Sequence, residues 1–191
     1  VHVGTLLSIF VYFWKDIWLL IKSFFGAFLG RKSKERLFNV SPLMFLWFLI
    51  IGTIPAVIVG LLGADAIDGF FRDANNVGYS FLATGFFFIF AEYIANAIKN
   101  RRLTAGRSIF VGIFQAIAII PGISRSGSTI GAGLISGLTR NEAARFSFLL
   151  GMPALLGAGI LTAYKESSAG LSLELHTYLL GAFVSFVSGY I

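Results

Sequence analysis

The sequence predicts an all-α polytopic membrane protein, a bundle of transmembrane helices that includes a re-entrant helical hairpin. Hydrophobic residues make up 57% of the 191 residues, charged residues make up 13%, and the mean hydropathy is +0.84. Soluble domains carry about 25% charged residues, and a spanning helix needs about 20 apolar ones. We therefore expect a single transmembrane domain over residues 1–191. Its uncharged runs are Ser41–Ala64, Ala74–Ala91, Ser108–Ser124, Phe146–Tyr164 and Leu175–Ile191.

The first thirty residues predict the end of one span followed by a helix at the membrane surface. Val1–Trp14 is uncharged but short for a complete span. Lys15–Gly30 places lysine and aromatic residues as interfacial helices do. The chain opens at Val1 and closes at Ile191 inside uncharged runs. We therefore expect it to be the middle of a longer protein, truncated at both ends.

Two further spans are predicted, and the links around them alternate in charge. The spans are Pro42–Leu62 and a segment from about Tyr79 to Ile98. The link Arg31–Arg36 is basic, Gly63–Gly78 is net acidic, and Lys99–Arg107 is basic again. Because cytoplasmic loops carry an excess of lysine and arginine, both basic links are expected in the cytoplasm and the acidic link outside.

The next segment predicts a re-entrant hairpin over about residues 108–138. Ser108–Ile120 is too short to cross the membrane comfortably and ends at Pro121 and Gly122, and a second short uncharged segment, Ser126–Leu138, follows. Irregular backbone at membrane depth is tolerated only where it is buried in protein or lines a water-filled cavity. The tip of the hairpin is therefore expected to face a site.

The last part of the chain predicts two more helices. Thr139 and Glu142 have the spacing of a capping box and open a helix over Asn141–Tyr164. A final partial span begins near Leu175.

The hairpin tip has the composition of an anion site. A helix that begins at a glycine-rich break points unpaired N–H groups and its dipole at one place, and glycine permits close approach of the backbone. Arg125 adds a permanent positive charge whose fork matches phosphate oxygens. We expect the ligand to be a phosphoryl group. The expected binding residues are Gly122, Ser124, Arg125, Ser126, Gly127, Ser128 and Thr129.

These residues have three other interpretations. A P-loop requires lysine where Ser128 stands and a strand before the glycines, so a nucleotide site is disfavoured. Helix packing through small residues explains the glycines but not Arg125. Arg125 could instead form a structural pair with Glu92, the acidic residue inside a predicted span. We expect Glu92 and Gln115 to support the site without touching the ligand.

Metal, thiol and nucleic-acid chemistry have little support. The chain has no cysteine, and its two histidines, His2 and His176, lie far apart near the ends of segments. We assign no metal ligand and no nucleic-acid partner. Arg140 and Arg145 are expected at the membrane edge, against lipid headgroups.

Two segments resemble the bacterial undecaprenyl-pyrophosphate phosphatase family, also called the bacitracin-resistance protein family. They are residues 115–129 (QAIAIIPGISRSGST) and residues 144–153 (ARFSFLLGMP), and residues 2–7 and 52–57 add weaker similarity. The resemblance implies an inverted-repeat membrane enzyme of the bacterial inner membrane that removes the terminal phosphate from undecaprenyl pyrophosphate for cell-wall synthesis. It implies that Arg125 binds the pyrophosphate, with Ser124, Ser126 and Thr129 as hydrogen-bonding partners. Arg125, Ser124 and Thr129 would be catalytic.

The sequence also departs from that family. Its members carry a glutamate-rich E-x3-E element and a Ser-Ser-x-Gly-His element, and neither occurs in these residues. The resemblance implies dependence on a divalent cation such as Mg²⁺, with ligands mainly outside this segment, so the segment alone is expected to be inactive. A homodimer and contacts with membrane lipids are also expected. The alternative is a polyprenyl-phosphate flippase or transporter, which would use the same anion site without hydrolysis.

Overall fold

A computed structural model of the chain describes residues 2–30, 34–63, 67, 73–98, 101–168 and 175–191. These residues form eight α-helices and no β-strand, which confirms the all-α prediction for the described part of the chain. The helices are α1 (His2–Tyr12), α2 (Trp14–Phe28), α3 (Pro42–Leu62), α4 (Ala74–Ala95), α5 (Ala105–Ile117), α6 (Arg125–Ile135), α7 (Arg140–Ser168) and α8 (Leu175–Tyr190).

Three helices in the described residues are long and apolar enough to cross a membrane. They are Pro42–Leu62, Ala74–Ala95 and the segment Arg140–Ile160 of α7. The first has the predicted bounds, whereas α4 begins earlier than the predicted Tyr79, because the uncharged run already starts after Asp73. Much of the acidic link, residues 64–66 and 68–72, lies outside the described residues, as do 31–33 and 99–100 of the basic links.

The two N-terminal helices form a sharply bent pair. The axes of α1 and α2 differ by 79°, and the break lies at Phe13. The sequence predicted a helix that continues past Trp14 and gave no sign of this bend, since neither proline nor glycine lies there. Before the break, α1 packs closely on α8: a Cβ added to Gly4 would lie 2.1 Å from the carbonyl oxygen of Ala182. Counted together, α1 and α2 would make a fourth span.

Helices α3 and α5 run parallel and in very close contact. A Cβ added to Gly112 would lie 2.1 Å from the carbonyl oxygen of Gly52, and the Ser108 hydroxyl donates to the carbonyl oxygen of Phe48. Further along, Gly60 faces Ile119. Such close approach of two backbones needs residues without side chains, as is common between membrane helices. The break after α5 consequently lies beside the C-terminal end of α3.

The best-buried apolar side chains lie where α3, α5, α6 and α7 meet. Phe45 and Phe146 are fully buried, and their rings pack edge to face with centroids 5.8 Å apart. Val111, Leu134 and Leu150 are also buried in this cluster. The cluster fixes the short helices of the hairpin against the longer α3 and α7.

The predicted hairpin is present as two short helices separated by a non-helical break at residues 118–124. The first helix begins three residues before the predicted Ser108, and the second begins one residue before the predicted Ser126, because each starts at a hydroxyl side chain that caps it. The Arg107 N–H donates to Thr104 Oγ1 over 3.4 Å, and the Gly127 N–H donates to Ser124 Oγ over 3.2 Å. That the hairpin turns within a membrane stays a prediction.

The capping box that opens α7 is confirmed. The Thr139 N–H donates to Glu142 Oε2 over 3.0 Å, and the Glu142 N–H donates to Thr139 Oγ1 over 3.2 Å. These reciprocal bonds satisfy two N–H groups that have no partner within the helix. They set where α7 starts, and so which of its residues face α6.

Candidate functional site

The break between α5 and α6 lies against the first turns of α4. Gly122 has φ +89°, and a Cβ added there would lie 2.5 Å from the carbonyl oxygen of Val77 and 2.9 Å from Cβ of Ser80. Both the left-handed backbone and the lack of space require glycine at this position. Because Gly60 and Val77 lie close to the α3–α4 link, the break lies at that end of the bundle. The N–H of Arg101, by contrast, bonds the carbonyl oxygen of Gly137 over 2.8 Å at the opposite end.

Ser124 is the N-cap of α6. Its side-chain oxygen accepts from the Gly127 N–H, and its own N–H donates to Thr84 Oγ1 over 3.4 Å. Thr84 in turn donates to the carbonyl oxygen of Ser80 over 2.9 Å, so α4 holds the cap in place. The first N–H groups of a helix have no intrahelical acceptor. The proton of the Ser124 hydroxyl and the N–H groups of Arg125 and Ser126 are therefore available to an anion.

Arg125 is the first residue of α6 and is half-buried. Its Nη1 donates to the carbonyl oxygen of Gly151 over 3.1 Å, and a Cβ added to Gly151 would lie 3.1 Å from its Cζ. Within the described part of the chain, no carboxylate lies within salt-bridge distance of this guanidinium. The positive charge is thus positioned by a neutral carbonyl group and remains available to a ligand.

Glu92 lies away from Arg125. Its Oε1 accepts from Arg140 Nε over 2.5 Å, and Arg140 Nη2 also donates to Asn96 Oδ1 over 3.1 Å. The alternative that Glu92 pairs with Arg125 is therefore wrong, because Glu92 pairs with Arg140. Arg140, expected at the membrane edge, ties the start of α7 to the end of α4.

The structure divides the predicted hydroxyl groups into two sets. Ser124 and Ser126 are partly exposed, whereas Ser128 and Thr129 are buried, because successive residues of a helix point about 100° apart. Thr129 Oγ1 donates to the carbonyl oxygen of Arg125 over 2.8 Å and also contacts Ser147 Oγ. Ser124, Arg125 and Ser126 thus form the accessible part of the site, and Thr129 lies behind it.

Two glycines of α6, Gly127 and Gly131, pack against α4. A Cβ added to Gly127 would lie 3.2 Å from Thr84 Cγ2, and one added to Gly131 would lie 2.6 Å from Phe87 Cε1. Helix packing therefore accounts for these two glycines, as that interpretation of the sequence expected. It does not account for the unpaired charge of Arg125.

Gln115 is 2% exposed, and neither of its amide atoms has a hydrogen-bond partner within the described residues. It lies two turns after Ser108 on the face of α5 that packs on α3. Its supporting role at the site stays a prediction.

Sequence reasoning missed the contacts that α7 makes. Ser147 contacts Thr129, and Gly151 contacts Arg125. Arg125 and Thr129 are four residues apart on α6, and Ser147 and Gly151 are four residues apart on α7. This matched spacing, with Ser147 and Gly151 inside the segment 144–153 of the resemblance, was the sequence signal that could have predicted these contacts.

The expectation that Arg145 contacts lipid headgroups is wrong. Its Nε donates to Asp16 Oδ2 over 2.6 Å, and the two side chains form an ion pair.

The described residues do not fit a metal site by themselves. Among them, no group of three or more histidine, cysteine, aspartate or glutamate side chains is arranged to hold an ion. His176 is exposed at the start of α8, and the side chain of His2 lies outside the described part.

Comparison with known proteins gives consistent matches. The family model described as bacitracin resistance protein BacA matches residues 1–191. Undecaprenyl-diphosphatase of Methanosphaera stadtmanae is 40% identical over 196 residues, covering 100% of this chain and 70% of that protein. The proteins of the same name from Thermodesulfovibrio yellowstonii and Paenarthrobacter aurescens are 40% and 35% identical; each match covers all of this chain, with 67% and 69% of those proteins. A family match over the whole chain, with relatives this similar, shows that the chain belongs to the bacitracin resistance protein BacA family.

Proposed function

We propose that the protein is an undecaprenyl-diphosphatase, a membrane hydrolase of a polyprenyl diphosphate. Water adds to the terminal phosphorus, and the bond from that phosphorus to the bridging oxygen breaks. The products are the polyprenyl monophosphate and inorganic phosphate, and one proton is released when both products are dianions. The names of the relatives support this reaction, and the hairpin tip supplies the chemistry to bind its substrate.

The observation that carries the proposal is the state of Arg125. It is a half-buried guanidinium without a carboxylate partner among the described residues, at the N-terminus of a capped helix. An unpaired charge in such a place is costly unless a ligand neutralises it. A diphosphate offers several anionic oxygens that match the guanidinium fork.

Each residue at the tip has a distinct role in this reaction. Arg125 binds a terminal phosphoryl oxygen, and the charge on that oxygen becomes better stabilised as the bridging bond breaks. The hydroxyl groups of Ser124 and Ser126 donate to neighbouring oxygens, as do the free N–H groups of the first turn of α6. Gly122 lets the hairpin tip pack against Val77 and Ser80 of α4, and this contact holds the start of α6 in place.

The position of the tip supports a site on the outer side of a bacterial plasma membrane. The break lies at the end of the bundle where α3 ends and α4 begins, and the basic residues Arg101, Arg102 and Arg107 precede or open α5 at the other end. The positive-inside rule puts that basic end in the cytoplasm. The diphosphate headgroup would therefore enter from the opposite face, with its isoprenoid chain among the membrane lipids.

Two further features stay proposals that rest on the resemblance. One is dependence on a divalent cation, with Mg²⁺ as the candidate. The other is a homodimer. Activity with Mg²⁺ and with a chelator tests the first, and the mass of the detergent-solubilised protein tests the second.

Phosphate release from undecaprenyl diphosphate tests the function directly. The complete gene product, purified in detergent, is assayed with Mg²⁺ and with a chelator. We expect release of one phosphate per substrate and accumulation of the monophosphate. Tight binding of the diphosphate with no phosphate release would favour the lipid transporter instead.

A further inference from the structure

The contact between α6 and α7 is a regular antiparallel ladder. Its first step is the bond between Arg125 and the carbonyl oxygen of Gly151. One turn further, Thr129 Oγ1 contacts Ser147 Oγ. One turn further again, a Cβ added to Gly133 would lie 2.9 Å from Cβ of Ala143. Each step advances four residues along α6 and returns four along α7, so one face of each helix makes all three contacts.

The middle step of the ladder is a buried hydroxyl pair. Thr129 is 1% exposed and Ser147 is 4% exposed. Thr129 has one hydroxyl proton, which it donates to the carbonyl oxygen of Arg125 over 2.8 Å. We assign the proton of the contact between the two hydroxyl groups to Ser147, because the carbonyl oxygen of Arg125 can only accept and takes the proton of Thr129. Hydrogen bonds thus run from Ser147 to Thr129 and on to the backbone of Arg125.

We propose that Ser147 is a positioning residue for Arg125, an inference that rests on the proposed function for its effect on turnover. Ser147 fixes Thr129, and Thr129 fixes the carbonyl group of Arg125 and so the first turn of α6. Gly151, on the same face of α7, receives the guanidinium. Loss of the Ser147 hydroxyl leaves a buried oxygen of Thr129 without a donor, which favours a shift of this turn.

The variant Ser147→Ala tests the proposal with two measurements. The first is the rate at which phenylglyoxal modifies Arg125, followed by peptide mass spectrometry, which needs no activity. We expect the rate to rise several-fold, since the guanidinium is released from Gly151. The second is kcat/KM for undecaprenyl diphosphate, which we expect to fall about tenfold because small displacements of a binding group are costly. The loss of kcat/KM in Ser147→Ala should exceed any loss in the fraction of the protein that is folded.

Controls separate positioning from general damage. The hydroxyl of Ser136, the residue after the end of α6, donates to the carbonyl oxygen of Ala132 over 2.8 Å and forms no hydrogen bond with α7 among the described residues, so Ser136→Ala should change neither measurement. In an Arg125→Ala background, Ser147→Ala should cause no further loss of kcat/KM, since the two residues act through one group. Should Ser147→Ala fail to fold, Ser147→Cys, with a similar shape and a weaker donor, provides the same comparison.

An unchanged labelling rate of Arg125 would overturn the proposal, whatever happens to activity. So would an unchanged kcat/KM in an active enzyme, or an additive loss in the Arg125→Ala background. If the wild-type protein itself releases no phosphate, the proposed function fails, and the labelling comparison still decides the role of Ser147.

Discussion

The guanidinium of Arg125 is held by contacts that leave its charge available to a ligand. Its bond to the carbonyl oxygen of Gly151 sets its direction without neutralising it. The sequence predicted this arginine and its serine neighbours from the cost of a charge among apolar segments. The contact with Gly151 could not be predicted, because pairing between helices depends on which faces meet.

Gly151 provides a residue-scale prediction. A side chain there would occupy the space of the guanidinium, since an added Cβ would lie 3.1 Å from Arg125 Cζ. Gly151→Val should displace Arg125 and lower kcat/KM for phosphate release about 10- to 100-fold. Gly151→Ala should have a smaller effect, because the end of the arginine can move a few tenths of an ångström.

The matched control is Gly157→Val on the same helix. Gly157 is exposed, and a Cβ added there meets no atom within 4 Å. Its kcat/KM should equal that of the wild type. Equal losses in the two valine variants would contradict the assignment of Gly151.

At the scale of helices, the hairpin depends on two close backbone contacts. Gly122 lies against α4, and Gly112 lies against Gly52 of α3. Charge runs and the Pro121–Gly122 break predicted the two helices of the hairpin to within about one turn, which is the usual uncertainty of boundaries. They could not predict the bend at Phe13, where no residue type marks a break.

Substitution of Gly112 should destabilise the bundle. A Cβ on Gly112 would lie 2.1 Å from the carbonyl oxygen of Gly52, so Gly112→Ala forces α3 and α5 apart. We expect a loss of about 3 kcal/mol in the free energy of unfolding, at the upper end for overpacked cores. Thermal unfolding in detergent measures this loss.

Gly106, in the first turn of the same helix, is the control. A Cβ added there meets no atom within 4 Å, so Gly106→Ala should leave stability unchanged or raise it by about 0.5–1 kcal/mol. A Gly112→Ala protein as stable as Gly106→Ala would show that α3 and α5 are further apart than described.

At the scale of the whole molecule, an ion pair joins the N-terminal helices to α7. Asp16 is 6% exposed, and Arg145 Nε donates to its Oδ2 over 2.6 Å. The guanidinium of Arg145 also lies over the ring of Phe38, with Cζ 5.8 Å from the ring centroid. The sequence did not predict this pair, because 129 positions separate Asp16 from Arg145.

Removal of one member of the pair should cost stability. We expect Asp16→Ala to lower the free energy of unfolding by about 1–3 kcal/mol, less than for a fully buried pair because Arg145 is partly exposed. The exchange Asp16→Arg with Arg145→Asp should recover part of that loss. The more exposed pair of Glu92 and Arg140 is the comparison, and Glu92→Gln should cost about 0–1 kcal/mol. Equal costs for the two pairs would contradict the role given to Asp16.

The central claim is that Arg125 anchors the diphosphate of a polyprenyl substrate for hydrolysis. The most direct measurement is phosphate release from undecaprenyl diphosphate by the wild type, Arg125→Lys and Arg125→Ala, with the thermal unfolding of each recorded alongside. The account predicts an active wild type, a loss of kcat/KM of about 100-fold or more in Arg125→Ala, an intermediate loss in Arg125→Lys, and similar unfolding temperatures. Near-wild-type turnover by a folded Arg125→Ala protein would contradict it.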